Sequence, residues 1–335
     1  MPAPEAPDTT IQVEQLSKEY PGGVRALDDV SFTVDRGEIF GYLGRNGAGK
    51  TTTVRILATL TRKTSGRAWV NGVDIERDPA SIRRVVGVAM QNASLDDLMS
   101  GREHLELAAS LDGMSRKESK DRSAELLDAF GLAPAADRLV ATYSGGMRRR
   151  LDVAISMVHR PPVLFLDEPT TGLDPQSRRA LWAMIRGLRD QGATILLTTQ
   201  YLEEADELAD RVAVIDAGRI VAVGAPEELK AEIGRTTVSF RLHQPGDAAR
   251  LSAIVGDGDL ATSNGRTSVE FAGDGDRLTE LLVRLRNEGV EFDQLSVSEA
   301  SLEDVFVRLT GEQLDVSTSS DGAVGVAAVR RLRSA

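Results

Sequence analysis

The stretch that most limits what this chain can become is Gly44-Arg45-Asn46-Gly47-Ala48-Gly49-Lys50-Thr51, which fits the pattern G-x-x-x-x-G-K-[ST]. An apolar run, Glu38 to Leu43, reads as a strand entering it, and Lys50 to Leu60, with Thr51-Thr52 in its first turn, reads as a helix leaving it. Strand, glycine-rich turn and helix together make a phosphate cradle. The glycines let successive N–H groups point at phosphate oxygens, and the helix N-terminus adds partial positive charge. Lys50 is placed to reach the β- and γ-phosphates, and the Thr51 hydroxyl to ligate Mg²⁺. Lysine is scarce here, six against 34 arginines. A chance match is therefore on the order of 10⁻², and the strand-then-helix context lowers the odds of accident further.

A second signal lies downstream. Val163-Leu164-Phe165-Leu166 runs into Asp167-Glu168, so two carboxylates stand at the C-terminal end of a buried strand, the edge where α/β sheets bind ligands. Asp167 can hold Mg²⁺ through water, and Glu168 can polarise an attacking water as general base. Alone, a strand ending in Asp-Glu is a common loop entry; the phosphate loop upstream makes the functional reading the stronger one. Tyr143-Ser144-Gly145-Gly146-Met147 opens an amphipathic helix with Leu151, Ala154, Ile155 and Val158 on the face of Met147. Ser144 is its expected N-cap, and Ser-Gly-Gly at a helix start also makes a second anion site.

Further strands are expected at Ile11 to Leu16 and Val30 to Val34, around Pro21-Gly22-Gly23, and at Val85 to Met90, Ala193 to Thr198 and Arg211 to Ile215. Helices are expected within 101 to 160, with a capping box at Ser115 and Glu118, and over Pro175 to Asp190. The alternation predicts a mostly parallel α/β sheet interrupted by a helical insertion. After Gly234 the order changes to strand (Thr237 to Leu242), helix (Asp247 to Val255), a strand pair around Asn264-Gly265, helix (Asp276 to Asn287) and strand (Val290 to Val297). That is a ferredoxin-like β-α-β-β-α-β arrangement, followed by a capped helix from Ser301 to Leu309. The expected organisation is an arm over 1–10, a nucleotide-binding domain over 11–234 with a helical subdomain about 92–160, a small α+β domain over 235–312, and a loose tail over 313–335.

Composition excludes several classes. Forty basic against 51 acidic residues leave a net charge of −11, a poor match to a phosphate-backbone binder, so nucleic acid is not an expected partner. Cysteine is absent, which removes disulfides, thiol nucleophiles and Cys-ligated zinc. No apolar run approaches the ~18 residues of a spanning helix, and the start, MPAPEAPDTT, lacks the features of a secretory signal, so the expected location is the cytoplasm.

Taken in order, the phosphate loop, Gln91 after a strand, Ser144-Gly145-Gly146, Asp167-Glu168 and Gly172-Leu173-Asp174 resemble the nucleotide-binding subunit of ABC transporters over about residues 11 to 230. Thr198-Thr199-Gln200-Tyr201-Leu202-Glu203-Glu204-Ala205-Asp206 and Ser301-Leu302-Glu303-Asp304-Val305-Phe306 look like the daunorubicin-resistance-type ATP-binding subunits, which extends the resemblance over nearly the whole chain. The resemblance implies a head-to-tail ATPase homodimer, with ATP and Mg²⁺ between the phosphate loop of one copy and Ser144-Gly145-Gly146 of the other. It implies that Tyr20 stacks on adenine, that Gln91 senses Mg²⁺ and the γ-phosphate, and that Asp174 is a dimer contact. It also implies a permease on a separate polypeptide, docked on the helical insertion, so that the chain is peripheral on the inner face of the membrane. Export of a small hydrophobic drug or antibiotic, handled mainly by the permease, is the implied task. The alternatives are a lipid or polysaccharide exporter and a non-transport regulatory ATPase.

Two positions depart from the broader pattern: Met147 stands where many members have glutamine, and Gln200 replaces the usual switch histidine. Glutamine can still donate a hydrogen bond to a γ-phosphate but does not titrate near neutral pH. For Tyr20 the alternative is an ordinary strand-end tyrosine. Arg148-Arg149-Arg150 reads as a partly solvated helix face with local ion pairs, and Trp69 and Trp182 as packing residues.

Overall fold

Two long strands come first in the computed structural model, β1 (Thr9–Tyr20) and β2 (Val24–Asp35), antiparallel across the turn at Pro21-Gly22-Gly23. The structure describes residues 9–92, 94–233, 235–242, 251, 259–263, 266–272, 275–290, 292–298 and 301–311. The expected arm and tail therefore fall outside the described residues, except Thr9 and Thr10, which open β1.

The phosphate-loop strand is β3 (Ile39–Gly44), and α1 (Lys50–Leu57) follows it. The helix stops three residues short of the sequence reading. Thr59 turns to positive φ (60°) and Leu60 is 56% exposed, so the chain leaves the core there. Next come β4 (Ser65–Val70), β5 (Val73–Asp74), α2 (Pro79–Val85) and β6 (Val86–Ala89). The helical region holds α3 (Gly101–Leu111), α4 (Arg116–Ala129) and α5 (Gly145–Ser156). Full capping boxes start α3 at Ser100 and Glu103, and α4 at Ser115 and Glu118. The chain then alternates through β7 (Val163–Asp167), α6 (Pro175–Asp190), β8 (Thr194–Thr199), α7 (Leu202–Leu208), β9 (Arg211–Asp216) and β10 (Arg219–Gly224).

The main sheet has the order β10-β9-β3-β8-β7-β6, parallel except for β10; a smaller antiparallel sheet has the order β2-β1-β4-β5. Because strand side chains alternate between faces, each buried strand feeds two cores. Phe40, Tyr42, Val163, Phe165 and Leu196 pack with β1, β2 and α1, whereas Ile39, Leu164, Leu166, Ile195 and Leu197 pack with α3 to α6. Every residue of β3, β7 and β8 is buried.

Contacts divide the chain into two compact units, Met1–Pro226 and Glu227–Ala335. Across and beyond that division run α8 (Pro226–Ile233), β11 (Arg235–Leu242), β12 (Asp259–Ser263), β13 (Arg266–Ala272), α9 (Gly275–Asn287), β14 (Phe292–Ser298) and α10 (Leu302–Thr310). The third sheet is fully antiparallel in the order β12-β13-β11-β14. In chain terms that is second, third, first, fourth, the ferredoxin-like order expected from the sequence. The helix expected over Asp247 to Val255 lies outside the described residues, apart from Leu251, which is helical and buried with Val238, Phe240, Leu281, Leu285 and Val290. Ser301 caps α10 in a box closed by Asp304.

Candidate functional site

β3 delivers its chain to the C-terminal edge of the sheet, and the loop Arg45–Gly49 folds back over it. Gly49 has φ 109°, and a Cβ there would lie 2.5 Å from the Ala26 carbonyl oxygen and 2.7 Å from Leu27 Cδ2, so glycine is the residue that fits. Lys50, the first residue of α1, reaches back along the loop. Its ammonium donates to the carbonyls of Gly44 (2.8 Å) and Arg45 (3.0 Å) and pairs with Glu168 Oε1 at 3.1 Å. Both side chains are almost fully buried. Burial pushes the Lys50 ammonium down, while Glu168 and then Asp167 pull it back toward the charged form. The Ala48 side chain is buried in the core, and its amide closes a turn onto the Arg45 carbonyl.

β7 supplies the carboxylates. Its parallel register sets Asp167 opposite Thr198 of β8, whose hydroxyl donates to Asp167 Oδ1 at 2.6 Å; the Thr51 hydroxyl donates to the same oxygen at 3.2 Å. Asp167 Oδ2 is buried with no hydrogen-bond partner. Glu168 stands in the left-handed region (φ 46°), which turns its carboxylate away from Asp167 and toward Lys50. Gln91, just past β6, donates through Nε2 to Glu168 Oε2 at 2.9 Å, and Thr171 donates to the same oxygen at 3.3 Å. A cleft of about 200 Å³ is lined by Ala26, Asn46, Gly47, Gly49, Lys50, Thr51, Thr52, Gln91 and Glu168.

The structure thus brings together the phosphate loop, Gln91, Asp167 and Glu168. Tyr20, Ser144-Gly145-Gly146, Asp174 and Gln200 stand outside that lining. Tyr20 is half-buried at the end of β1 with the Lys18 ammonium 4.8 Å over its ring. Ser144 caps α5, its hydroxyl accepting from the Met147 amide at 3.3 Å. Asp174 caps α6: it accepts from the Ser177 amide (2.9 Å) and hydroxyl (2.6 Å), and these bonds hold its carboxyl below the usual range. Gln200 is half-buried between β8 and α7.

An oxygen donor set with one carboxylate is what Mg²⁺ takes when substrate phosphates complete its shell. The Thr51 hydroxyl, the Gln91 amide and Asp167, with its orphaned Oδ2, fit that description. Among the described residues no cluster of three or more His, Cys, Asp or Glu side chains could hold a metal unaided.

Some residues at the site escaped the sequence reading. Thr171 carries no motif, and Thr198, though it opens a segment read for resemblance, gains its role only once β7 and β8 are known to pair in parallel. Arg149 corrects the solvated-face reading of its run: it is 6% exposed, and its guanidinium is spent on backbone carbonyls and Asp152. Arg148 fits the expected exposed ion pair, with Asp97 at 2.5 Å. Trp182 packs as expected, but its indole also donates to the buried Glu204 at 3.0 Å, joining α6 to α7.

A phosphate loop on a central strand, a carboxylate pair on the buried strand next but one, a glutamine just past a third strand and a helical subdomain on the same sheet define an ATPase of the ATP-binding cassette class. The family model for ABC transporters matches residues 27–171, and that for the C-terminal domain of DrrA1-3-like ATP-binding proteins matches 224–310. The daunorubicin/doxorubicin resistance ATP-binding protein DrrA of Streptomyces peucetius is 44% identical over 326 residues, 95% of this chain and 97% of that one. The Nod factor export ATP-binding protein I of Ralstonia nicotianae is 40% identical over 318 residues, 93% and 98% of the two chains. A solved structure of an ATP-binding subunit of an ABC transporter superposes with a TM-score of 0.60 at 32% identity, over 68% of this chain and 94% of that one. The chain belongs to the DrrA-like family of ABC transporter ATP-binding proteins, and it is an ATP-hydrolysing subunit. Among the described residues no helix is long and apolar enough to cross a membrane.

Proposed function

We propose that this chain binds Mg·ATP in the cleft at the edge of β3 and β7, pairs head to tail with a second copy, and couples hydrolysis to export through a separate transmembrane permease. It would work from the inner face of the membrane. The observation that carries the reading is the convergence of Lys50, Thr51, Gln91, Asp167 and Glu168 on one edge of the sheet. In this reading Gly44 to Thr52 cradle the phosphates, Lys50 neutralises β/γ charge, and Tyr20 stacks on adenine. Thr51, Gln91 and Asp167 would hold Mg²⁺, which supplies further charge neutralisation when bound. Glu168 orients and deprotonates the attacking water, and Gln200 donates to the γ-phosphate; catalysis is mostly positioning and electrostatics. Ser144, Gly145 and Gly146 would meet the nucleotide of the second copy, with Asp174 at the dimer contact. The domain borders we propose are 11–234, with its helical subdomain about 92–160 toward the permease, and 235–312.

A small hydrophobic drug or antibiotic as cargo is supported by the name of the 44%-identical relative. Export of something other than an antibiotic has the 40%-identical Nod factor export relative behind it. Steady-state ATPase measurement on wild type, Glu168→Gln and Gln200→His tests the site. We expect Glu168→Gln to lose at least ~100-fold in kcat and Gln200→His to gain a pH inflection between about 6 and 7. Wild-type turnover no higher than that of Glu168→Gln would sink the assignment.

A further inference from the structure

Arg149 is the one arginine of its run that is withdrawn from solvent, and what it touches is the backbone of the proposed catalytic edge. Nε donates to the Pro169 carbonyl at 2.8 Å and Nη2 to the Asp167 carbonyl at 3.0 Å, so the guanidinium holds the chain on both sides of Glu168. Nη1 donates to the Met90 carbonyl at 2.5 Å, the residue before Gln91, and to Asp152 Oδ2 at 2.8 Å. A planar fork with five donors in fixed directions can serve acceptors on three separate segments at once; an ammonium on a flexible stem cannot. Glu168 also sits in the left-handed region, a conformation that persists in a non-glycine residue only where its surroundings over-determine it. The carbonyls gripped at positions 167 and 169 provide that determination.

We propose that Arg149 is a positioning residue for ATP hydrolysis: it sets the height of Glu168 and Gln91 relative to each other at the ends of β7 and β6. Since Arg149 belongs to α5, whose N-terminus is Ser144-Gly145-Gly146, it also ties that helix rigidly to the pair. Asp152 neutralises the buried guanidinium and keeps it in place; it touches none of the proposed catalytic groups in the bonds described. The inference rests on the reading of Glu168 and Gln91 as catalytic.

The experiment uses the purified full chain as wild type, Arg149→Lys, Asp152→Asn and Glu168→Gln. It reads kcat and KM for Mg·ATP, the Kd of TNP-ATP in EDTA, and Tm. Arg149→Lys keeps the charge opposite Asp152 but cannot span the three carbonyls. We expect its kcat to fall about 10- to 100-fold, as misplacing catalytic groups by about 1 Å does, with KM and TNP-ATP Kd within about threefold of wild type. Asp152→Asn, which retains an acceptor for Nη1, is expected to keep kcat within about threefold. If Arg149→Lys does not fold, the double variant Arg149→Met/Asp152→Asn, which removes the buried charges together, carries the same expectation. A folded Arg149 variant with wild-type kcat overturns the inference, as does a loss of kcat that Asp152→Asn matches in step with Tm, since both mark a purely structural arginine. Full turnover in Glu168→Gln overturns the site assignment instead, and the two failures are therefore distinguishable.

Discussion

Lys50 has three ammonium protons and three acceptors around it, two of them loop carbonyls and the third the carboxylate of Glu168. Each buried charge is met by the other, yet burial still outweighs that pairing at Lys50, and a γ-phosphate would compete with Glu168 for the same donor. Arg149 and Asp152 form the second buried pair, and here the balance differs. Burial pushes Asp152 up to about 6 although Arg149 draws it down. Between its ordinary value of 3.8 and about 6, the folded state keeps the proton that the unfolded state has released, so this group's contribution to stability falls as pH rises through that window. Urea unfolding of wild type should therefore lose about 1 kcal/mol between pH 5 and pH 7 relative to Asp152→Asn. Parallel pH profiles for the two proteins would show that Asp152 carries no such shift. Why the sequence hid this pair is plain at the same scale. Three consecutive arginines predict a wet helix face, and nothing local tells that the middle one meets carbonyls from residues 90, 167 and 169.

Helices α5 and α6 meet at a point with no slack. A Cβ on Gly146 would lie 2.5 Å from Ser177 Oγ and 2.8 Å from Ser177 Cβ, and that same hydroxyl donates to the capping carboxylate of Asp174. One serine thus sets the spacing between the two segments proposed to face the second copy. Gly146→Ala is expected to lower steady-state ATPase at least ~10-fold while leaving TNP-ATP affinity within about threefold, and Ser177→Gly in the same chain to restore part of it. Loss of affinity in Gly146→Ala alone would place the defect at the phosphate loop rather than between these helices. The strands and helices that carry motifs were legible because burial is total there: β3, β7 and β8 are apolar runs bounded by turn residues. Those missed had weaker patterns. β4 is exposed over its first half and carries Gly66 and Arg67, whereas β10 lies at the sheet edge with alternate residues only half-buried, so its hydrophobic signal resembles a loop. α2 is seven residues long and begins at a proline, too short for a helical period to show.

Separate cores in Met1–Pro226 and Glu227–Ala335 imply that the molecule has more than one stability. Differential scanning calorimetry should resolve two transitions, and Mg·ATP at 100 times its Kd should raise only the one belonging to the first unit, by about 2.7 kcal/mol in linked free energy. A single transition moved as a whole by nucleotide would show instead that the two units unfold together. The strand order of the main sheet has a consequence for how the chain is made. β3 is wholly buried, and its partners β8 and β9 leave the ribosome about 150 residues after it, roughly 10 to 30 s at ordinary elongation rates. For that interval the phosphate loop hangs on an unpaired apolar strand. Newborn chains of this protein should therefore depend on chaperone cover until β8 and β9 have emerged, and a ribosomal pause before Thr194 would prolong that exposure.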